Sequence, residues 1–359
     1  MHDDRPESTT GRDTVRGTPS AAGYHMPAEW EPHERCLMAW PTPTRAELWG
    51  PHYVHAEASY AAVAHAIGRF EPVLMVARPE DAGAARSYCG GDIEVVEMPI
   101  DDSWLRDSGP IFLRGRDGDL AAADFEFNSW GRKYLPFDLD ATVGERLCRH
   151  LGVKRYAAPM VLEGGSITVD GQGTLITTES CLLHPSRNPH LSQTEIEDVL
   201  KEYLGVKKVI WLKSGLGLEE DPDTDGHVDG VAAFVGPGRV LLHMVRDRDH
   251  PDYENLAENR RRLETTDALG GELEVFEFDL RSRPVTLDET PLVETYINSY
   301  MANGAMIVPT AGTGDDEAAL ERLREIVPHG EVVGVPAPVI AYGGGGIHCI
   351  TQQVPKTTK

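Results

Sequence analysis

The 359-residue chain carries 58 acidic against 34 basic side chains, a net charge of −24, with 40% hydrophobic and 26% charged residues. That balance argues against a nucleic-acid binder, which needs clustered Lys and Arg, and favours attraction of a small cation. No run approaches the roughly 18 apolar residues of a membrane span, and the polar start Met1-His-Asp-Asp-Arg-Pro-Glu7 lacks the apolar core of a secretory signal. A cytoplasmic, enzymatic chain is expected.

Residues 1–22 have almost nothing to bury and read as a disordered tail, with order beginning near Met26. Short apolar strands then alternate with amphipathic helices. In chain order the spacing predicts a helix His55–Phe70, strands Val73–Ala77 and Ile93–Met98, and a helix Leu139–Leu151. Strands Ser166–Val169 and Thr174–Thr178 follow, joined by the hairpin Asp170-Gly-Gln-Gly173. Helix Ser192–Leu204 has a capping box in Ser192-Gln-Thr-Glu195 and apolar residues at Ile196, Val199, Leu200 and Tyr203. Strand Lys208–Leu212 precedes a second hairpin, Val228–Val235 and Arg239–Val245 turned at Gly236-Pro-Gly238. Helix Tyr253–Leu269, strands Leu273–Phe278 and Ala305–Pro309, helix Asp316–Val327 and strand Glu331–Val335 complete the series, and Pro355–Lys359 reads as too polar to pack. No linker divides residues 25–355, so residues 23–355 read as one α/β domain. The rhythm of hairpin, helix and strand suits a doubly wound sheet or a ring of small αβ modules.

Five cysteines, Cys36, Cys89, Cys148, Cys181 and Cys349, are widely spaced and form no C-x-x-C pair. A disulfide framework or a cysteine zinc site is not expected, and four of them read as small buried hydrophobes. Cys349 stands apart. Gly343-Gly-Gly-Gly346 lets the backbone approach a ligand closely and leads into an expected strand bearing that thiol. The plainer reading is a tight turn before a buried cysteine.

Asp221-Pro-Asp-Thr-Asp225-Gly-His227-Val-Asp229 gathers acids around one histidine. A calcium loop is rejected because Ala232 stands where a bidentate Glu is required. His227 and Asp229 would share one face of a strand. A manganese site would need a second such cluster, and none is visible. Asp101-Asp-Ser-Trp104-Leu-Arg106-Asp107 reads either as a solvated turn with an Arg106–Asp107 pair or as a wall for a flat cation. Glu163, alone in an apolar Gly-rich strand start, needs an Arg or a His as partner.

Six motifs in order carry a resemblance over nearly the whole ordered chain, from Met26-Pro-Ala-Glu-Trp-Glu-Pro-His33 to Gln353. They are Asp102-Ser-Trp-Leu-Arg-Asp-Ser-Gly-Pro110, Phe127-Asn-Ser-Trp-Gly131, Val161-Leu-Glu-Gly-Gly-Ser166, Arg187-Asn-Pro-His190, Gly226-His-Val-Asp229 and Gly345-Gly-Ile-His-Cys-Ile-Thr-Gln-Gln353. The chain resembles the agmatine deiminase family, within the guanidine-modifying superfamily that includes arginine and peptidylarginine deiminases. The resemblance implies a five-bladed αβ propeller (pentein) with pseudo-fivefold symmetry and hydrolysis of agmatine to N-carbamoylputrescine and ammonia. It implies Cys349 as nucleophile and His227 as general acid/base with Glu163 as its partner. Asp102 and Asp229 would grip the guanidinium, Asp223 would lie among the substrate-binding positions, and Trp104 would serve as a wall. No metal or organic cofactor is implied, and a homo-oligomer is compatible with it.

Gly346 and Asp225 stand where Asn is common, and Ser282–Thr295 is short and lacks the usual Ile-Pro-Arg. Another guanidine, an alkylguanidine or peptidyl-arginine, is therefore the alternative substrate. A metal-dependent ureohydrolase and a silent guanidine binder are the competing functions. With Arg106 the only nearby base and Asp107 its expected partner, an all-acid pocket should reject free arginine.

Overall fold

The strand Val73–Ala77 has all five residues buried, as expected of a parallel strand covered on both faces. It belongs to a computed structural model that describes residues 16–216, 224–279, 285–292, 295–328 and 330–357. Among these, five sheets of three or four strands repeat one pattern, a first strand antiparallel to a second that is parallel to a third. The first sheet runs Thr351–Pro355, His33–Ala39, Val73–Ala77 and Glu94–Glu97. The second runs Ile111–Gly115, Leu120–Glu126 and Lys154–Val161, with Tyr24–His25 on its edge. The third is Ile167–Val169, Thr174–Thr178 and Lys208–Leu212, and the fourth Ala232–Gly236, Arg239–Met244 and Glu274–Asp279. The fifth is Tyr300–Ala302, Ala305–Thr310 and Glu331–Pro336. Because Thr351–Pro355 joins His33–Ala39, the end of the described chain pairs with its beginning.

Each sheet has a parallel connection that carries a main helix, Tyr53–Gly68, Val143–Leu151, Gln193–Leu204, Tyr253–Arg262 or Asp316–Ile326, and the first sheet's second parallel connection carries Ala82–Cys89. Each helix fills the space between its own sheet and a neighbouring one, so the core divides into five apolar clusters. Gln193–Leu204 shows the logic. Ser192 and Glu195 form both halves of the capping box, Gly205 ends the helix in the left-handed region, and Ile196, Leu200 and Leu204 are buried against the second and third sheets. Leu200→Ala would cost about 2–5 kcal/mol through the cavity it leaves.

Several boundaries differ from those the sequence suggests. Val228–Val235 is not one strand: Val228–Gly230 is a 3-10 turn, and the strand is Ala232–Gly236. The turn follows from Gly226 at φ 91° and from the His227 amide donating to Thr224 Oγ1, which bends the chain before it can extend. His227 and Asp229 therefore do not share a strand face. The helix from Tyr253 stops at Arg262, and Asp267 then accepts the Leu269 and Gly271 amides in a turn. Cys349 lies in a turn, not on the strand, which starts at Thr351. Pro355 is buried in that strand and the Lys356 amide donates to the Pro32 carbonyl, so this end does pack. Residues 1–15 of the expected tail, and residues 358–359, lie outside the described residues. Residues 16–22, also placed in that tail, form turns in which the Ser20 amide donates to the Glu202 carbonyl. All five cysteines are free and buried.

Candidate active site

The first strand of every sheet is entered from a short turn, and the five turns carry the reactive side chains. Leu105–Ser108 bears Asp107, Gly164–Ser166 follows Glu163, and Val228–Gly230 holds Asp229 just after His227. Asn298 precedes Tyr300–Ala302, and His348 and Cys349 precede Thr351–Pro355. Hydrogen bonds join the turns directly. The Gly165 amide donates to Asp107 Oδ1 at 3.0 Å, the Arg106 amide to the Cys349 carbonyl at 3.2 Å, and the His348 amide to Asn298 Oδ1 at 3.0 Å.

Gly165 marks the meeting point. A Cβ there would fall 2.6 Å from His227 Nδ1 and 2.9 Å from both Asp107 Oδ1 and Asp229 Oδ2, so only glycine lets these three groups converge. Cys349 Sγ lies 3.6 Å from Asp229 Oδ2 and accepts from Asn298 Nδ2 at 3.3 Å. A cavity beside the thiol is lined by Trp104, Asp107, Trp130, Tyr134, Thr224 and Gly344, among others. Trp104 stacks on Trp49, with ring centroids 5.8 Å apart.

The charges are set by burial and by one another. Burial, reinforced by Asp229 and Asp107, pushes the Cys349 thiol well above its ordinary range. Burial alone would lower the His227 imidazole, but Asp107, Cys181 and Glu163 prevail and raise it well above its ordinary range. Burial also raises the Asp107 carboxyl. Asp229 is depressed despite burial, because His348 donates to it and His227 and Arg106 lie near. Glu163 Oε2 is 3.8 Å from His227 Nε2, while Oε1 accepts from Arg187 Nε at 2.7 Å. Glu163 thus has both partners that the sequence offered as alternatives.

Three expectations change. Asp102 does not line the cavity: it accepts from Arg45 Nε at 3.0 Å and from the Ser103 amide at 2.7 Å, as an internal ion pair. The Arg106–Asp107 surface pair is absent, since both residues are buried. Arg106 turns to Gln353 and Glu29, while Asp107 accepts from Trp130 Nε1 at 2.9 Å. Nor is Arg106 the only base, because Asp225 is held by Arg187 at 2.7 Å and by Lys133 at 2.9 Å. Asp221 and Asp223 lie outside the described residues.

Sequence reasoning passed over Asn298, Glu29 and His348, and took Asp107 for an ion-pair partner. The signal for Asp107 was present in its own motif, whose two aspartates cannot be ranked without their neighbours. The Gly346 substitution finds its reason in Asn298, whose Oδ1 would lie 2.3 Å from a Cβ at 346. The Arg187-Asn-Pro-His190 motif is explained by Arg187 on Glu163 and by Asn188, whose amide pairs with both backbone groups of Val161. Glu163, Cys181 and His227 bring three donor atoms within 4.8 Å, the only such group among the described residues. The Arg187 guanidinium already supplies positive charge there, which opposes a metal ion.

The chain has known relatives. An agmatine deiminase of Medicago truncatula is 42% identical, covering 95% of this chain and 99% of that protein. One of Pseudomonas aeruginosa is 43% identical, covering 95% and 98%. The solved agmatine deiminase of Enterococcus faecalis superposes with a TM-score of 0.91 at 37% identity, covering 96% of this chain and 100% of that one. Residues 25–355 match the profile of the Porphyromonas-type peptidyl-arginine deiminases, a span that takes in all five turns, and the chain belongs to that family.

Proposed function

We propose that this chain is an agmatine deiminase, converting agmatine and water to N-carbamoylputrescine and ammonia. The observation that carries the reading is the convergence of His227, Asp107 and Asp229 around Gly165, with the Cys349 thiol 3.6 Å from Asp229. In this reading Asp107 and Asp229 bracket the guanidinium, and Asp107 takes the role that the sequence motif suggested for Asp102. The arriving cation offsets the two carboxylates that hold the thiol protonated, so substrate binding itself promotes the thiolate. The thiol proton leaves to solvent as the cation binds, the thiolate Sγ adds to the guanidinium carbon, and His227 in its protonated form gives its proton to the departing ammonia. Neutral His227 then takes a proton from water, whose oxygen adds to the amidino-thioether carbon. The C–S bond breaks, and the product hydroxyl's proton replaces the one the thiol lost. Glu163, fixed by Arg187, orients the imidazole.

The five repeated sheets, with the end of the described chain paired to its beginning, support a five-bladed propeller with the site at its hub. Asp223 remains the candidate contact for agmatine's far amine. A cytoplasmic place without nucleic-acid partners is part of the reading, given the net charge of −24. Among the described residues no helix is long and apolar enough to cross a membrane. Incubation with agmatine, free arginine and an arginyl peptide, with ammonia and ureido product assayed, tests the proposal. Agmatine should be preferred. Equal rates on arginine would refute the assignment, and preference for the peptide would favour peptidyl-arginine deimination.

A further inference from the structure

Behind Asp229 lies a buried pair that the reaction just described does not use. His348 Nδ1 is 2.8 Å from Asp229 Oδ2, and its Nε2 is 2.9 Å from Glu29 Oε1. A neutral imidazole has one N–H, so one of these contacts would set two lone pairs against each other; the imidazolium satisfies both. The carboxylates outweigh burial and Arg106 in raising His348, and Glu29 is pulled down to about 2 although burial opposes it. Arg106 closes the arrangement from the other side, 3.5 Å from Glu29 and with Nε donating to the His348 carbonyl at 3.3 Å.

A second cavity, lined by Glu29, His348 and Asp229 with the apolar Phe234, Ile297 and Met301, shares no residue with the one beside Cys349. Asp229 is the link between them, since it lines the second cavity and also reaches the thiol. Glu29 and His348 therefore sit where a guanidine beside Cys349 does not touch them.

We propose that His348, locked by Glu29, is the positioning residue that fixes the Asp229 carboxylate for guanidinium binding. This deepens the reading of the site given above and rests on it. The hydrogen bond from Nδ1 is made to Oδ2, the same oxygen that lies 3.6 Å from the thiol, and so holds the site-facing edge of the carboxylate in place. The lock also helps a buried acid stay ionised while no Lys or Arg is hydrogen-bonded to it among the described residues.

The test uses the full chain and the variants His348→Ala, His348→Asn and Glu29→Gln, each checked for its thermal midpoint. An Asn amide can present a donor near the place of Nδ1 but cannot reach Glu29. We expect His348→Ala to lower kcat/KM for agmatine about 100-fold, mostly through KM, and His348→Asn to recover about tenfold of that loss. Glu29→Gln should fall about tenfold, because its amide oxygen still accepts from Nε2 while the charge is lost. In parallel, propylguanidine is titrated for its protection of Cys349 from iodoacetamide, which reads binding without turnover. Protection should weaken in the order wild type, Asn variant, Ala variant. Equal impairment of the Asn and Ala variants, or undiminished protection in both, would overturn the inference. Failure of propylguanidine to protect the wild type would instead overturn the underlying reading of the site. If His348→Ala does not fold, the Asn and Gln variants decide the matter: unchanged KM in both would overturn the inference.

Discussion

Asp102 and Asp107 lie five residues apart in one motif, and the fold sends them to opposite fates. Asp102 has an internal cation, Arg45, at 3.0 Å, yet burial still pushes it up to about 6. Among the described residues, no guanidinium or ammonium group pairs with Asp107. Its oxygens take N–H groups from Trp130 and Gly165, and the His227 imidazole is 3.9 Å away. A carboxylate with its own arginine is already neutralised and is part of the scaffold. One whose hydrogen bonds come from neutral N–H groups, with its nearest cationic neighbour a histidine 3.9 Å away, lies beside a cavity where a ligand's charge can meet it.

The comparison is broken most directly by exchanging the two acids for amides. Asp107→Asn should lower kcat/KM by about 10³-fold, since a desolvated cation is left half paired, with little change in thermal midpoint. Asp102→Asn should keep kcat/KM within about tenfold and show its effect in stability, because Arg45 is left buried without its counter-charge. The reverse pattern in steady-state kinetics would return the guanidinium to Asp102.

A smaller effect is expected at the point where Asp107 meets its neighbours. Gly165→Ala places a methyl against His227, Asp107 and Asp229, and displacement by a few tenths of an ångström should cost about 10²-fold in kcat. The circular dichroism spectrum should be retained; full activity would mean that the three groups are not held as close as the geometry requires.

The thiol offers a finer discrimination. Since Asp229 and Asp107 help to raise Cys349, its alkylation by iodoacetamide should be slow at neutral pH and accelerate as pH rises. Asp107→Asn removes one raising charge, so its rate profile should move to lower pH and react several-fold faster near neutrality. Asp102→Asn should leave the profile in place, and a shift of equal size in both variants would erase the distinction.

The least effect belongs to Asp102 and pH. Its folded pKa of about 6 lies above the ordinary 3.8, so the native state binds the proton more tightly. Its stabilising contribution is complete below about pH 4 and is lost as pH rises through 6. Wild type should therefore gain a few degrees in midpoint relative to Asp102→Asn between pH 7 and pH 4. A difference that does not vary with pH would show that Asp102 is ionised throughout.

How much of this was legible depended on whether a segment faces apolar core or polar centre. Val73–Ala77, Thr174–Thr178 and Lys208–Leu212 stand as read, because apolar packing writes its period into the sequence. The strand after the glycines was expected to be apolar and to carry Cys349, but it is Thr351–Pro355, in which Thr351, Gln352 and Gln353 are buried. Thr351 donates to the Ile347 and His348 carbonyls and Gln353 accepts from Arg106, so polar side chains are buried there and leave no hydrophobic trace. The turn Val228–Gly230 was read as strand for a related reason: its direction is set by hydrogen bonds to Thr224 and by a neighbouring glycine, not by propensity.

By itself, the sequence determined the alternation of strands and helices, the caps, the residue types needed for guanidine chemistry, and the singling out of Cys349, His227, Glu163 and Asp229. Those are properties of local periodicity and of side-chain chemistry, which neighbours in the chain suffice to express. Which aspartate faces the thiol, which arginine neutralises which acid, and which nitrogen of His348 meets which carboxylate were decided only in three dimensions. Asp107, Gly165, Asp229, Asn298 and Cys349 come from turns leading into five different sheets, and the charges among them depend on separations of 3–4 Å between segments up to hundreds of residues apart. No local pattern encodes such a distance, because it exists only once the packed sheets hold their turns together.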